Sequence, residues 1–595
     1  MEYEYPKIMV IKEGNINRLV IGLIFIIVGY LFFTNISWFN LDFIDPHEIE
    51  FQIPSYFLAK SITSLDFNSF LSIIFSPRAH PFLPVLSIAF LKILFLPFSL
   101  NEFFTIKAFY FLCYLTSLIC IYRLLLFYTV RNKLLSGIIA LLYAFSCPYY
   151  YQTLLEGKAP EDILANTFLF LCFYAYLYYR MSLDKGSSNK TRCNAVLLSL
   201  LMACCFFSKY NVGVFIAFSI AIDLFYICFI SKRYSIKELE IFYIFFPFCT
   251  LIASWFLSFS LRSGFFSYLS ERMAVNSRIS IYPFYYLKLL FIQNGPFVHS
   301  ISGTWMYKGE LDMRYFYHWG QSAIALFCLL TAYMEMIKNC KRKKCSNECT
   351  FILLPLIYVS VNLLFFSSTK YHNTVALIST IPVIWLIVGH QIPKFLCFSN
   401  NALLTRSLLR RIIQCSVVAL IVTYLFICAC LQYFGLNRQI TSFAKLNNTK
   451  QLSHDSNEVI AEIEKFAVDN NCVCFITVQQ DVSFFENYLF ALIRYRLSPK
   501  FPRLLPYDVD KFDKGGNVLI VEILSLSVKK LFPDSILREL RYYKSKGNTI
   551  DVSFSGQSYP VDFYCLSSSQ FKLSMEYFRY FHERLKYRQY KERFF

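Results

Sequence analysis

Apolar runs of about 17 to 23 residues recur through the first two-thirds of the chain, each long enough as a helix to cross a hydrocarbon core of about 30 Å. They predict about 11 transmembrane helices, over roughly 19–36, 105–127, 134–154, 163–180, 195–208, 212–230, 241–260, 321–337, 350–366, 373–389 and 412–434. Another apolar stretch, 82–98, is broken by Pro81, Pro84 and Pro97 and reads as a helix lying in the membrane interface. Beyond residue 436 the pattern changes. Helical runs such as EVIAEIEKFAVD and DSILRELRYYKSKG alternate with strand-like runs such as CVCFITV, NVLIVEI and NTIDVSFSG. The expected fold is therefore a polytopic α-helical membrane protein with a C-terminal α/β extramembrane domain. Its parts are a cytoplasmic N-terminus (1–18), a transmembrane domain (19–436) with a long outer loop (37–104), and the C-terminal domain (437–595) on the periplasmic or lumenal side. No Gly-rich phosphate loop opens a helix of that last domain, which reads as a lid or docking module.

Composition agrees. Of 595 residues, 56% are hydrophobic and 16% charged, where a soluble chain carries roughly 25% charge. This excludes an ordinary soluble enzyme and a disordered chain. The net charge of +19 does not point to nucleic acid, because the basic residues sit in short clusters between the apolar runs. Those clusters set the topology. The basic segments at Arg131 and Lys133, Arg180 to Arg192, Lys232 and Arg233, Lys338 to Lys344, and Arg406 to Arg411 read as inner loops. Segments 37–104, 155–162, 209–211, 261–320 and 367–372 then lie outside. The start of the chain lacks the small-residue cleavage site of a signal peptide, so the first apolar run is expected to remain as an anchor.

Most of the 20 cysteines fall in apolar runs, where Cys behaves as a small hydrophobe. Cys340, Cys345 and Cys349 flank a KRKK run, but their spacing matches no standard zinc set, so no metal site is assigned. The chemistry-bearing residues lie instead in the outer segments. Asp42, Asp45, Glu48 and Glu50 place four carboxylates just beyond the first span, where desolvation is costly unless they are paired or used. Asp45-Pro46-His47-Glu48 also reads as a helix start, with Asp45 as N-cap and Pro46 at the first helical position. Arg78, Lys209, Arg262, Arg272, Arg278 and Lys370 are scattered through poorly charged outer segments and suit a phosphate. His80 and His372, with the outer carboxylates, could bind a divalent cation such as magnesium or manganese.

Taken in order, the acidic segment after the first span, SPRAHPFLPVLSIAFLKILF, the span pair that includes LLEGKAPEDILANTF, LLSLLMACCFFSKYNVGVFIAF and FFSSTKYHNTVALISTIPVIWLIVG resemble the GT-C superfamily of polyprenyl-phosphate-sugar glycosyltransferases. The likeness is to the branch of protein O-mannosyltransferases and aminoarabinose transferases, and it spans roughly residues 19–390. The resemblance implies that the family's acidic motif falls on Asp45 and Glu48, its histidine-proline segment on His80-Pro81-Phe82-Leu83, and its lysine step on Ser208-Lys209-Tyr210. Its late-span motif falls on Lys370-Tyr371-His372, and Glu161 and Asp162 stand where a single Asp is usual. The usual adjacent Asp-Glu pair is here separated by Pro46 and His47, so either Asp45 or Glu48 is the base.

The resemblance further implies an inverting glycosyltransferase that takes a sugar from a polyprenyl-phosphate donor on the outer face. The acceptor would be a hydroxyl of a lipid-linked glycan, glycolipid or protein, and no cofactor is required. Asp45 and Glu48 would be catalytic. Arg78, His80, Glu161, Asp162, Lys209, Tyr210, Lys370, Tyr371 and His372 would bind substrate. A bacterial inner membrane is favoured over the endoplasmic reticulum, since no retention signal is visible. The competing readings are a transporter or lipid flippase, and a non-catalytic scaffold of the same fold. Charges at span ends rather than at the midplane speak against transport.

Overall fold

A computed structural model describes residues 46–75, 81–98, 102–128, 136–140, 160–263, 316–342, 347–367, 380–397, 449–479, 484–501, 516–523, 545–554 and 557–573, with single helical positions within 21–29, 416–427 and 542–543. The described part is mostly helical. In chain order the first helices are α1 (Pro46–Thr63), α2 (Phe67–Ile74), α3 (Leu83–Phe95), α4 (Glu102–Tyr128), α5 (Pro160–Asp184), α6 (Ser188–Ser208), α7 (Tyr210–Phe225) and α8 (Ile241–Ser263). They are followed by α9 (Phe316–Arg342), α10 (Asn347–Ser367) and α11 (Thr380–Cys397). Among the described residues, 108–127, 188–208 and 210–230 are long and apolar enough to cross a membrane, and 83–95, 241–257, 353–365 and 383–392 are shorter apolar helices.

Described helices lie on the apolar runs at 105–127, 163–180, 195–208, 212–230, 241–260, 321–337 and 350–366, the runs at 19–36, 134–154, 373–389 and 412–434 lie wholly or partly outside the described residues, and three features depart from expectation. The outer loop expected at 209–211 shrinks to one residue. Lys209 is extended (φ −154°, ψ 114°), and α7 begins at Tyr210, so α6 and α7 form a tight helical hairpin with Lys209 at its apex. Gly213 permits the fold-back, because a Cβ there would stand 2.3 Å from the Phe206 Cα. The last described helix of this part runs on to Cys397, past the expected end at 389. Arg180, expected among inner-loop charges, is instead buried inside α5. Its guanidinium donates to Asp223 on α7 (3.1 Å), and that partner makes burial tolerable.

The bundle core runs from α1 and α3 through α4–α7 to α9–α11, with Tyr110, Tyr114, Tyr122 and Trp385 among its fully buried side chains. α5 packs along α6, and α4 along α5. The end of α5 and the starts of α6 and α8 are tied by Arg233 to Asp184 (2.9 Å) and Arg192 to Glu240 (2.9 Å), near the turn of Gly186 (φ +64°).

The C-terminal part is an α/β unit: α12 (Thr449–Asp469), β1 (Cys472–Gln479), α13 (Phe484–Leu497), β2 (Asn517–Ile523), β3 (Asn548–Phe554), β4 (Gln557–Ser567) and α14 (Ser568–Leu573). The sheet order is β1-β2-β4-β3. β1 and β2 are parallel, as a crossover through α13 requires, while β4 is antiparallel to both β2 and β3. α12 and α13 supply Val459, Ile460, Ile463, Leu489 and Phe490 to a core against Phe475, Leu519, Val521 and Phe563. Strand alternation explains the pattern, since Leu519 and Val521 are two residues apart and share a face.

Candidate active site

Pro160 begins α5, and its missing N–H costs nothing at a first helical position. Glu161 and Asp162 follow in the first turn, where the helix macrodipole favours carboxylates. Both are 2% exposed. The hairpin apex brings Lys209 to this helix start, and its ammonium donates to the Asp162 carboxylate. Asp162 is the buried member and Lys209 the reachable one, at 19% exposure. The structure therefore joins two residues 47 positions apart, both singled out as substrate-binding.

Aromatic rings pack around the apex. Phe207 lies 5.1 Å from Phe82 and 5.9 Å from Trp255, and Tyr210 lies 5.8 Å from Trp255 and 5.1 Å from Phe206 (ring centroids). Phe82 directly precedes α3, so its contacts with Phe207 and Trp255 tie the start of that helix to the end of α6 beside Lys209. Trp255 comes from α8. Rings at such separations attract through edge and offset contacts beyond their buried area.

One turn below Asp162 on α5 sits Asn166, 1% exposed, with neither its amide nitrogen nor its oxygen hydrogen-bonded among the described residues. A buried unsatisfied amide costs stability, so this side chain is a functional candidate. Spacing alone conceals it, because Asn166 lies in an apolar run; its position four residues after Asp162 is the one available signal. Next to it, Thr167 bonds the Cys113 carbonyl (3.1 Å) and Ser117 (2.9 Å), fixing α4 against α5.

Of the other expected site residues, Glu48 is in the first turn of α1, which begins at Pro46 as the Asp-Pro start predicts. Asp45, Arg78, His80, Lys370, Tyr371 and His372 lie outside the described residues. The side chains of Cys340, Cys345 and Cys349 do as well. Among the described residues no group of three or more His, Cys, Asp or Glu side chains could hold a metal ion.

The sequence matches no protein-family model, and no curated protein matches it significantly. Its fold is similar to crystal structures of ArnT from Cupriavidus metallidurans. The apo form has TM-score 0.52 and 12% identity, over 91% of this chain and 97% of that one. The form bound to undecaprenyl phosphate has TM-score 0.52 and 11% identity, over 92% and 98%. At such identities the likeness is one of architecture: the chain shares the overall fold of the ArnT structures.

Proposed function

We propose that the protein is an integral-membrane inverting glycosyltransferase that takes a sugar from a polyprenyl-phosphate donor at the outer face and passes it to a hydroxyl acceptor. The observation that carries the reading is the Asp162–Lys209 pair, a part-exposed ammonium set on a hairpin apex at the end of the bundle expected to face outward. The ArnT structure bound to undecaprenyl phosphate, similar over nearly the whole chain, supports a polyprenyl-phosphate partner.

The reaction needs few groups. The acceptor oxygen attacks the anomeric carbon, the bond from that carbon to the phosphate oxygen breaks, and the acceptor proton passes to a carboxylate. The products are the glycoside and a polyprenyl phosphate. Asp45, with Glu48 as substitute or orienting partner, is the proposed base, because partial desolvation at a membrane boundary raises a carboxylate toward working pH. Lys209 is proposed to stabilise charge on the departing phosphate, joined by Arg78, His80, Lys370 and His372. Tyr210 and Tyr371 would contact the sugar or lipid, and Glu161 would line the acceptor side. Asp162 holds Lys209 in place, and no metal or other cofactor is invoked. The proposed location is a bacterial inner membrane.

The test follows polyprenyl phosphate released from a panel of polyprenyl-phosphate sugars, with acceptor-containing membranes present. Release by wild type, lost in Asp45→Asn with membrane insertion intact, is expected. Equal release by both, or none by wild type, would overturn the reading.

A further inference from the structure

α1 belongs to two hydrophobic cores at once. Its Phe51 and Leu58, 1% and 0% exposed and two turns apart, lie in the core of the membrane bundle. Ile53, on a different side of the same helix, packs against the core of the C-terminal α/β unit. There α13, with buried Leu489, Phe490, Leu492 and Ile493, lies against α1. On the bundle side α3 packs along α1, and Lys92 donates to the Gln52 carbonyl (3.4 Å) with its ammonium 5.9 Å from the Tyr56 ring centroid.

We infer that the C-terminal unit is a buttress that sets the position of α1 through Ile53, rather than a lid. The inference rests on the proposed function, because α1 carries Glu48 in its first turn and continues directly from Asp45. A helix held from one side only keeps freedom to tilt about that contact. Held between α3 and α13, α1 is fixed from both sides, and with it the backbone of its first turn, where Glu48 stands. A displacement of about 1 Å at a reacting group costs about a hundredfold in rate. Ile53 is thus a positioning residue that touches no substrate. Lys209, proposed to meet the departing phosphate, stands at the α6–α7 apex and not on α1, so loosening α1 should slow the chemical step more than it weakens lipid-phosphate binding.

The full-length Ile53→Asp and Ile53→Ala variants, with Ile53→Leu as the conservative control, test this by three measurements: kcat for sugar transfer, affinity for undecaprenyl phosphate, and amide hydrogen exchange over 46–63. The expected result is a kcat reduced about tenfold to a hundredfold in Ile53→Asp and less in Ile53→Ala. Undecaprenyl phosphate affinity should stay within about twofold, exchange in 46–63 should be faster, and Ile53→Leu should restore all three. Unchanged exchange in both Ile53→Asp and Ile53→Ala would overturn the docking, and faster exchange with wild-type kcat would overturn the positioning role. A wild type that releases no polyprenyl phosphate would sink the proposed function instead, and the exchange rates would still support or overturn the docking.

Discussion

Arg180 on α5 donates to Asp223 on α7 at 3.1 Å, and the Tyr176 hydroxyl donates to the same carboxylate oxygen. At the other ends of these helices Asp162 on α5 meets Lys209 at the start of α7. The two parallel helices are thus clasped at both ends by ion pairs with the charges exchanged, carboxylate on α5 at one end and cation on α5 at the other. Removing one member of a buried pair strands the other and costs about 3–5 kcal/mol, whereas replacing both by apolar groups is far milder. Asp223→Leu should therefore lower the melting temperature of the purified protein much more than the Arg180→Leu, Asp223→Leu double variant. Equal losses in the two would contradict a stranded charge as the cause.

The outer pair should behave differently, because one of its members is assigned to substrate. Lys209→Met should reduce kcat/KM for sugar transfer by about tenfold to a hundredfold, the size of one hydrogen bond to a charged group. Asp162→Asn should reduce it less, since the ammonium remains. The double variant should be no worse than Lys209→Met alone. A double variant with additive losses would mean that Asp162 acts independently of Lys209.

Asn166 offers a contrast between stability and activity. Its amide is buried with no hydrogen bond among the described residues, so Asn166→Leu, of similar volume, removes a desolvation cost of about 1–3 kcal/mol. The expected outcome is a higher melting temperature together with slower sugar transfer. A stabilised and fully active variant would remove Asn166 from the site.

Asp66, in the segment expected to lie outside the membrane, supplies a pH dependence. It caps α2, accepting from the Ser69 N–H (3.1 Å) and the Ser69 hydroxyl (2.5 Å), and these bonds hold its carboxyl below the usual 3.8. A depressed carboxylate contributes stability above its unfolded value, and that contribution is lost as pH falls through the lower folded value. Amide exchange over 67–74 should be faster in Asp66→Ala than in wild type at pH 7. The difference should persist down to about pH 4 and fade below it. A difference that grew in acid would reverse the assigned sign.

Much of this architecture was legible from local pattern. The described helices fall on apolar runs because hydrophobic length is a one-dimensional property, and the α/β alternation after 436 likewise reads from periods of 3.6 and 2. Glu161, Asp162 and Lys209 stood out because charge is scarce in such segments. That Asp162 and Lys209 meet could not be read, since their contact depends on a one-residue apex at 209 rather than the three-residue loop expected there. Arg180 misled for a related reason: with its partner 43 residues away, it looks like one more inner-loop cation. The ring cluster of Phe82, Phe207, Tyr210 and Trp255 was hidden by abundance in a chain with 65 Phe and 43 Tyr.

The single-residue apex at Lys209 leaves this part of the chain without slack. An α-helix turns 100° per residue, so one residue inserted between Lys209 and Asp223 would swing Asp223 away from Arg180 while the outer pair stayed engaged. One residue inserted between Asp162 and Arg180 would detune the same clasp from the other helix. By contrast, an insertion beside Gly186, in the exposed turn between α5 and α6, changes neither spacing. Alanine-insertion scanning across 160–225 should thus give full-length, folded protein near 186 and little within 163–179 or 210–222, making chain length there as strict a requirement as residue identity.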